Sequence, residues 1–251
     1  MLNFISHGEP GGGTPLLIAH GLYGSARNWG AISRRLSDVR QVVAVDMRNH
    51  GQSKWFQTHS YDDLAGDLAK VIAAHGGVMD VLGHSMGGKA AMVLALKYPG
   101  LVRRMVIADI APTAYNHTQI HLIEAMSNVD LSVVERRADV EAQLGQIDDP
   151  MLRSFLLQSL DLKEKKWRLN LETLALEMDN IIGFPQVSGS FEGDVLFLSG
   201  SESDYVSRDH RPRIKALFPR AKFARIPGAG HWLHAEKPRE FGLAVRAYLN
   251  G

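Results

Sequence analysis

The chain has 251 residues, 45% of them apolar and 22% charged, with a formal net charge of +1 and no cysteine. That balance excludes a disulfide framework and thiolate metal sites, and it gives no basic footprint for nucleic acid or an anionic membrane. No apolar run reaches the length of a membrane span, and residues 1–10 lack the basic-then-apolar order of a secretory signal, so a cytoplasmic globular protein is expected.

Leu16-Leu17-Ile18-Ala19 is the first apolar run, and residues 42–45 are the next. Both are short and bounded by turn or polar residues, as buried strands of a parallel sheet are. Ser60-Tyr61-Asp62-Asp63 has capping-box spacing, and Leu64, Leu68, Val71 and Ile72 follow at helical spacing until Gly76-Gly77. Residues 78–82 form a further strand, residues 90–96 a strong helix former, and residues 105–108 another strand. This alternation predicts an α/β fold, a mostly parallel sheet with helices on both faces.

The pattern then breaks, and residues 113–182 read as helical. Ser132 to Glu135 has capping-box spacing, and Asp149-Pro150 sets an N-cap before a proline at the first helical position. Leu152, Leu156 and Leu160 recur at helical spacing, and Leu169, Leu176 and Met178 do so less regularly. Strands resume at residues 195–198 and 223–226. The expected division is a core of residues 1–112 and 183–251 with residues 113–182 inserted as a helical cap over the carboxyl ends of the strands. A separate helical domain is the alternative.

The segment Leu82-Gly83-His84-Ser85-Met86-Gly87-Gly88-Lys89-Ala90 fits two templates. Gly83 followed by Gly88-Lys89 approaches a phosphate-binding loop. That loop needs a hydroxyl after its lysine to hold magnesium, and the position here is Ala90. The other template is G-x-S-x-G, a sharp strand-to-helix turn that exposes a serine. Gly83 and Gly87 relieve crowding there, and the helix starting near Met86 turns its positive end toward the site. On this reading Ser85 is a nucleophile and Lys89 an ordinary helix residue.

A serine nucleophile needs a base, and histidine suits it because its pKa lies near neutrality. His231, in Gly228-Ala229-Gly230-His231-Trp232, follows a late strand and so reaches the same sheet edge as Ser85. His234 reads as structural, and His7, His59, His75 and His210 as surface residues. His117 and His121 stand four apart on a cap helix, but nothing completes a metal signature around them, so no metal is expected. The acid has two candidates, Asp109 after residues 105–108 and Asp204 after residues 195–198. Tyr23, Tyr115, Trp167 and Trp232 are candidate linings of a substrate pocket.

Ser85 and His231 in these settings resemble the α/β-hydrolase superfamily of serine hydrolases. So do His20-Gly21-Leu22-Tyr23-Gly24 and the segment from Asp46 to Ser53. Together with Asp109-Ile110-Ala111-Pro112, these motifs are similar to those of small bacterial esterases of the YbfF type. The resemblance spans nearly the whole chain outside the cap. It implies the order serine, acid, histidine, and oxyanion donors in the backbone N–H groups of Leu22 and Met86. It favours Asp109 as the acid, because Ser203 stands where the family usually has one and Asp204 comes one residue late. Ser203 is then expected to hydrogen-bond the histidine. Asn49 replaces a frequent family glycine, and asparagine tolerates the positive φ such a turn needs.

The implied activity is a serine carboxylesterase acting on short- to medium-chain acyl esters without a cofactor. An acyl-CoA thioesterase, with Arg136, Arg137 and residues 163–168 as phosphate contacts, and a carbon–carbon bond hydrolase use the same chemistry. A non-catalytic binding module on this fold is the alternative of another class. The partner expected is a small acyl ester or thioester, and oligomeric state is left open.

Overall fold

The apolar runs pair into one seven-stranded sheet in the computed structural model, which describes residues 1–251. In chain order the strands are β1 (Phe4–His7), β2 (Gly13–Ala19), β3 (Arg40–Val45), β4 (Met79–His84) and β5 (Val102–Ala108). A separate ribbon of β6 (Leu160–Asp161) and β7 (Lys166–Trp167) follows, and then β8 (Asp194–Gly200) and β9 (Ala221–Ile226) complete the sheet. The order across the sheet is β1-β3-β2-β4-β5-β8-β9. Within this sheet only β1 runs antiparallel to its neighbour.

Helices cover both faces, as a parallel sheet requires. They are α1 (Gly30–Leu36), α2 (Tyr61–Ala74) and α3 (Met86–Lys97). Then come α4 (Ile120–Ser127), α5 (Arg137–Gln143), α6 (Pro150–Leu157), α7 (Leu171–Leu176) and α8 (Met178–Ile182) between β5 and β8. The chain ends with α9 (Arg211–Leu217), α10 (Leu233–Glu236) and α11 (Pro238–Asn250). Leu17 and Ala19 pack into one apolar layer with residues of α2 and α3. Leu16 and Ile18, pointing the other way, pack with Trp29, Ile32, Phe241 and Val245 of the opposite layer. No helix is long and apolar enough to cross a membrane.

The helix starts follow their caps. Ser60 Oγ accepts from Asp63 N at 3.2 Å, and Asp149 Oδ1 accepts from Met151 N at 2.8 Å ahead of Pro150. Two expectations in the inserted segment need correction. Ser132 does not begin a helix. It lies in a 3₁₀ turn, and α5 begins later, with Asp139 accepting from Arg136 N at 3.0 Å. Leu160 does not continue the helix of Leu152 and Leu156. That helix ends at Leu157, and Leu160 pairs with Trp167 across the ribbon.

Chain order and sheet order disagree between β2 and β4. From β2 the chain steps to β3 on one side, then returns to β4 on the other. Such a reversal opens a crevice at the carboxyl ends of the two strands. The loop carrying Leu22 leaves β2 there, and Ser85 follows β4.

Candidate active site

Ser85 sits at the point where β4 becomes α3, with φ 51° and ψ −120°. This conformation is costly for a residue with a Cβ, on the order of 1–3 kcal/mol. Its glycine neighbours make it attainable. A Cβ on Gly87 would overlap the carbonyl oxygen of Ala19, and one on Gly83 would overlap that of Gly87.

The geometry brings three polar side chains from three strand ends into a line. His231 Nε2 lies 3.1 Å from Ser85 Oγ, and His231 Nδ1 lies 2.7 Å from Asp109 Oδ2. With the carboxylate accepting from Nδ1–H, Nε2 is left free to accept from the serine hydroxyl. Asp109 is fully buried and also has positive φ, 52°, which turns its carboxylate from the end of β5 toward β8. There Oδ1 accepts from Gly200 N at 3.2 Å, and Oδ2 also accepts from Ser203 Oγ at 2.5 Å. Ser203 therefore bonds the carboxylate, not the histidine, which corrects the expectation above. Asp204 is exposed and makes no contact with His231.

Two residues whose roles the sequence left unread hold His231, one at its ring and one at its backbone. The ring of Tyr205 stacks on that of His231, centroids 4.0 Å apart and 19° from parallel. His84 Nε2 donates to the His231 carbonyl oxygen at 2.9 Å. Burial holds His84 far below the usual histidine pKa, so it stays neutral. The position of Tyr205, two residues after Ser203, was the available signal for the first. For the second, the signal was the histidine preceding the serine.

A pocket opens beside Ser85. Leu22, Met86, Ile110, Tyr115, Ile181 and Ile182 are among its apolar walls. The N–H groups of Leu22 and Met86 donate to no protein acceptor, while the next one, Tyr23 N, is held by His50 Nε2 at 3.2 Å. Of the four linings expected from sequence, Tyr115 lines this pocket. Tyr23 and Trp167 do not. Tyr23 is buried with its hydroxyl donating to Gln119 O at 3.0 Å, and Trp167 Nε1 donates to Met126 O at 2.9 Å. Trp232 packs on Phe155 of α6, centroids 4.3 Å apart, beside His231 but outside the pocket lining.

Other histidines depart from expectation too. His59 is buried, bonded by Asn49 Nδ2 at 3.2 Å, and burial brings its pKa down to about 3. His117 lines the pocket and hydrogen-bonds Tyr205 Oη at 2.7 Å, whereas His121 is exposed; His117 precedes α4 and shares no helix with it. His234, by contrast, is structural as expected, buried and stacked on Trp29, centroids 4.3 Å apart. Lys89 is the largest departure. It is buried, it lines the pocket, and its Nζ donates to Ile182 O at 2.7 Å and Gly183 O at 2.5 Å.

Residues 16–242 match the model of the Alpha/beta hydrolase family. The chain belongs to the alpha/beta hydrolase family. Among curated relatives of this alpha/beta hydrolase is an sn-1-specific diacylglycerol lipase, ABHD11, of Danio rerio. The two are 40% identical over 251 residues, covering 95% of this chain and 79% of the lipase. Esterase YbfF of Escherichia coli is 35% identical over 241 residues, covering 94% of this chain and 93% of its own. A solved structure described as a marine microorganism esterase superposes with a TM-score of 0.91 at 39% identity over 97% of each chain. In this alpha/beta hydrolase the loop after β3 serves as scaffold. The Asp46 carboxylate accepts from Ala26 N and Gln52 N, each at 2.8 Å, and Asn49 takes positive φ, 64°.

Proposed function

We propose that this alpha/beta hydrolase, a carboxylic ester hydrolase by its kinship with esterases and lipases, works through Ser85 as nucleophile, His231 as general base and Asp109 as the orienting acid. The observation that carries the reading is the unbroken hydrogen-bonded line from Asp109 through His231 to Ser85 at the mouth of an apolar pocket.

Ser85 Oγ attacks the acyl carbon while its proton passes to His231 Nε2. The carbonyl oxygen becomes an oxyanion and takes the free N–H groups of Leu22 and Met86. A donor of this kind typically contributes about 10²–10³ in rate. The N-terminus of α3 adds its positive end at the same place. His231 then gives its proton to the leaving alcohol, and the acyl group stays on Ser85. Water, deprotonated by His231, releases the acid and restores the serine. Asp109 keeps the proton of the resting imidazole on Nδ1 and offsets the charge of the imidazolium. Ser203 and Gly200 hold its carboxylate in place.

Residues 113–182 act as a cap: Tyr115, Ile181 and Ile182 close the pocket from that segment. The pocket's apolar walls, Leu22, Met86, Ile110, Ile181 and Ile182, suit an acyl chain of short to medium length. Ser85→Ala is expected to reduce hydrolysis of p-nitrophenyl butyrate to background with an unchanged circular dichroism spectrum; retained turnover would contradict the assignment.

A further inference from the structure

The proposed mechanism has no use for Lys89, yet Lys89 is buried in the wall of the same pocket as Ser85. It lies one helical turn along α3, its backbone N donating to Ser85 O at 3.0 Å. Its surroundings are uncharged. Nζ donates to the carbonyl oxygens of Ile182 and Gly183 and faces the rings of Tyr115 at 4.8 Å and Tyr61 at 5.8 Å. No carboxylate pairs with it, and the third N–H has no acceptor in the protein. Burying a cation without a counter-ion is expensive, and a fold retains such a group only against some compensating gain. Burial alone brings its pKa down to about 7.

Pinning Ile182 and Gly183, where the cap returns to the core, does not by itself require a charge. An amide or hydroxyl donor could bond the same two carbonyl oxygens. What the ammonium adds is attraction for an anion inside an apolar pocket next to the nucleophile. A substrate carboxylate could accept from the remaining N–H within apolar surroundings, where a charge-assisted hydrogen bond is stronger than in water.

We propose that Lys89 is a specificity-determining residue that selects esters whose acyl chain ends in a carboxylate, namely monoesters of short dicarboxylic acids. This rests on Ser85 acting as the esterase nucleophile. The reaction is ordinary hydrolysis: water and the monoester give the dicarboxylate, the alcohol and a proton.

The test compares monomethyl glutarate with methyl glutaramate, its uncharged isostere, at pH 7, following acid release. p-Nitrophenyl butyrate serves as the neutral reference. The wild-type protein should favour the carboxylate by about tenfold or more in kcat/KM, mainly through KM. Lys89→Met should bring that ratio to one or below, and Lys89→Arg should keep part of it. Lys89→Gln stands in should Lys89→Met fail to fold, and the wild-type pair already decides whether the preference exists. Equal or reversed preference in the wild-type protein overturns the proposal, as does a ratio that survives loss of the lysine charge. Turnover of p-nitrophenyl butyrate without turnover of either glutarate ester overturns the proposal but not the esterase reading. No turnover of any of the three overturns the esterase reading, and this proposal with it.

Discussion

Asp109 and Asp204 present the same carboxylate to the same end of the sheet, and only the backbone separates their roles. Positive φ at Asp109 aims its carboxylate at His231 Nδ1, while Asp204 faces solvent. Asp109→Asn should lower kcat by roughly 10⁴, because the amide cannot hold the imidazole in the required tautomer. Asp204→Asn should change it by no more than a few-fold, and the reverse ranking would move the acid to the other loop. Ser203→Ala should fall between the two in the same assay, since it removes one donor to Asp109 and leaves Gly200 N in place. Ser85 and His231 were legible because Gly83 and Gly87 on both sides of the serine, and Gly228 and Gly230 just before the histidine, mark tight turns at strand ends. Asp109 against Asp204 was not decided by the residues alone, since both simply follow apolar strands. Lys89 was illegible for a clearer reason: its partners, Ile182 and Gly183, lie some ninety residues away, and helical spacing marks a lysine only as polar.

At the scale of elements, the turn from β4 to α3 depends on the close approach of Gly87 to the end of β2. Gly87→Ala should destabilise the protein by about 1–3 kcal/mol, read as a shift in the urea midpoint, and should lower kcat because the turn must move to admit the methyl group. Unchanged stability and activity would show that the approach is slack. The six parallel strands were foreshadowed by short apolar runs, and the caps at Ser60 and Asp149 by their spacing. β1 went unread because an edge strand buries little, and Phe4-Ile5-Ser6-His7 carries no apolar run. The ribbon of β6 and β7 was unreadable for another reason. Leu160 continues a helical spacing, and only its pairing with Trp167 pulls it out of the helix.

For the molecule as a whole, the buried histidines set how stability depends on pH. His20, His50, His59, His84 and His234 all have pKa values lowered by burial, those of His59 and His234 to about 3. Below the unfolded value of about 6.5 the unfolded chain takes up protons that the folded chain refuses. Their stabilising effect is complete above pH 6.5 and is lost as pH falls toward about 3. His59 alone should account for ~2 kcal/mol between pH 6.5 and 5. The urea midpoint should therefore drop steeply over that window, and His59→Gln should flatten the slope. A midpoint constant from pH 7 to 5 would contradict the neutral, buried state of these rings.

If His231 and Asp109 activate Ser85 at the crevice between β2 and β4, as proposed, Ser85 alone should react with a fluorophosphonate probe, as read by mass spectrometry. One adduct per chain should form, and peptide mapping should locate it on Ser85. His231→Ala should slow its formation by orders of magnitude, and Ser85→Ala should abolish it. An intact, folded protein that takes no label, or takes it at another serine, would contradict the claim.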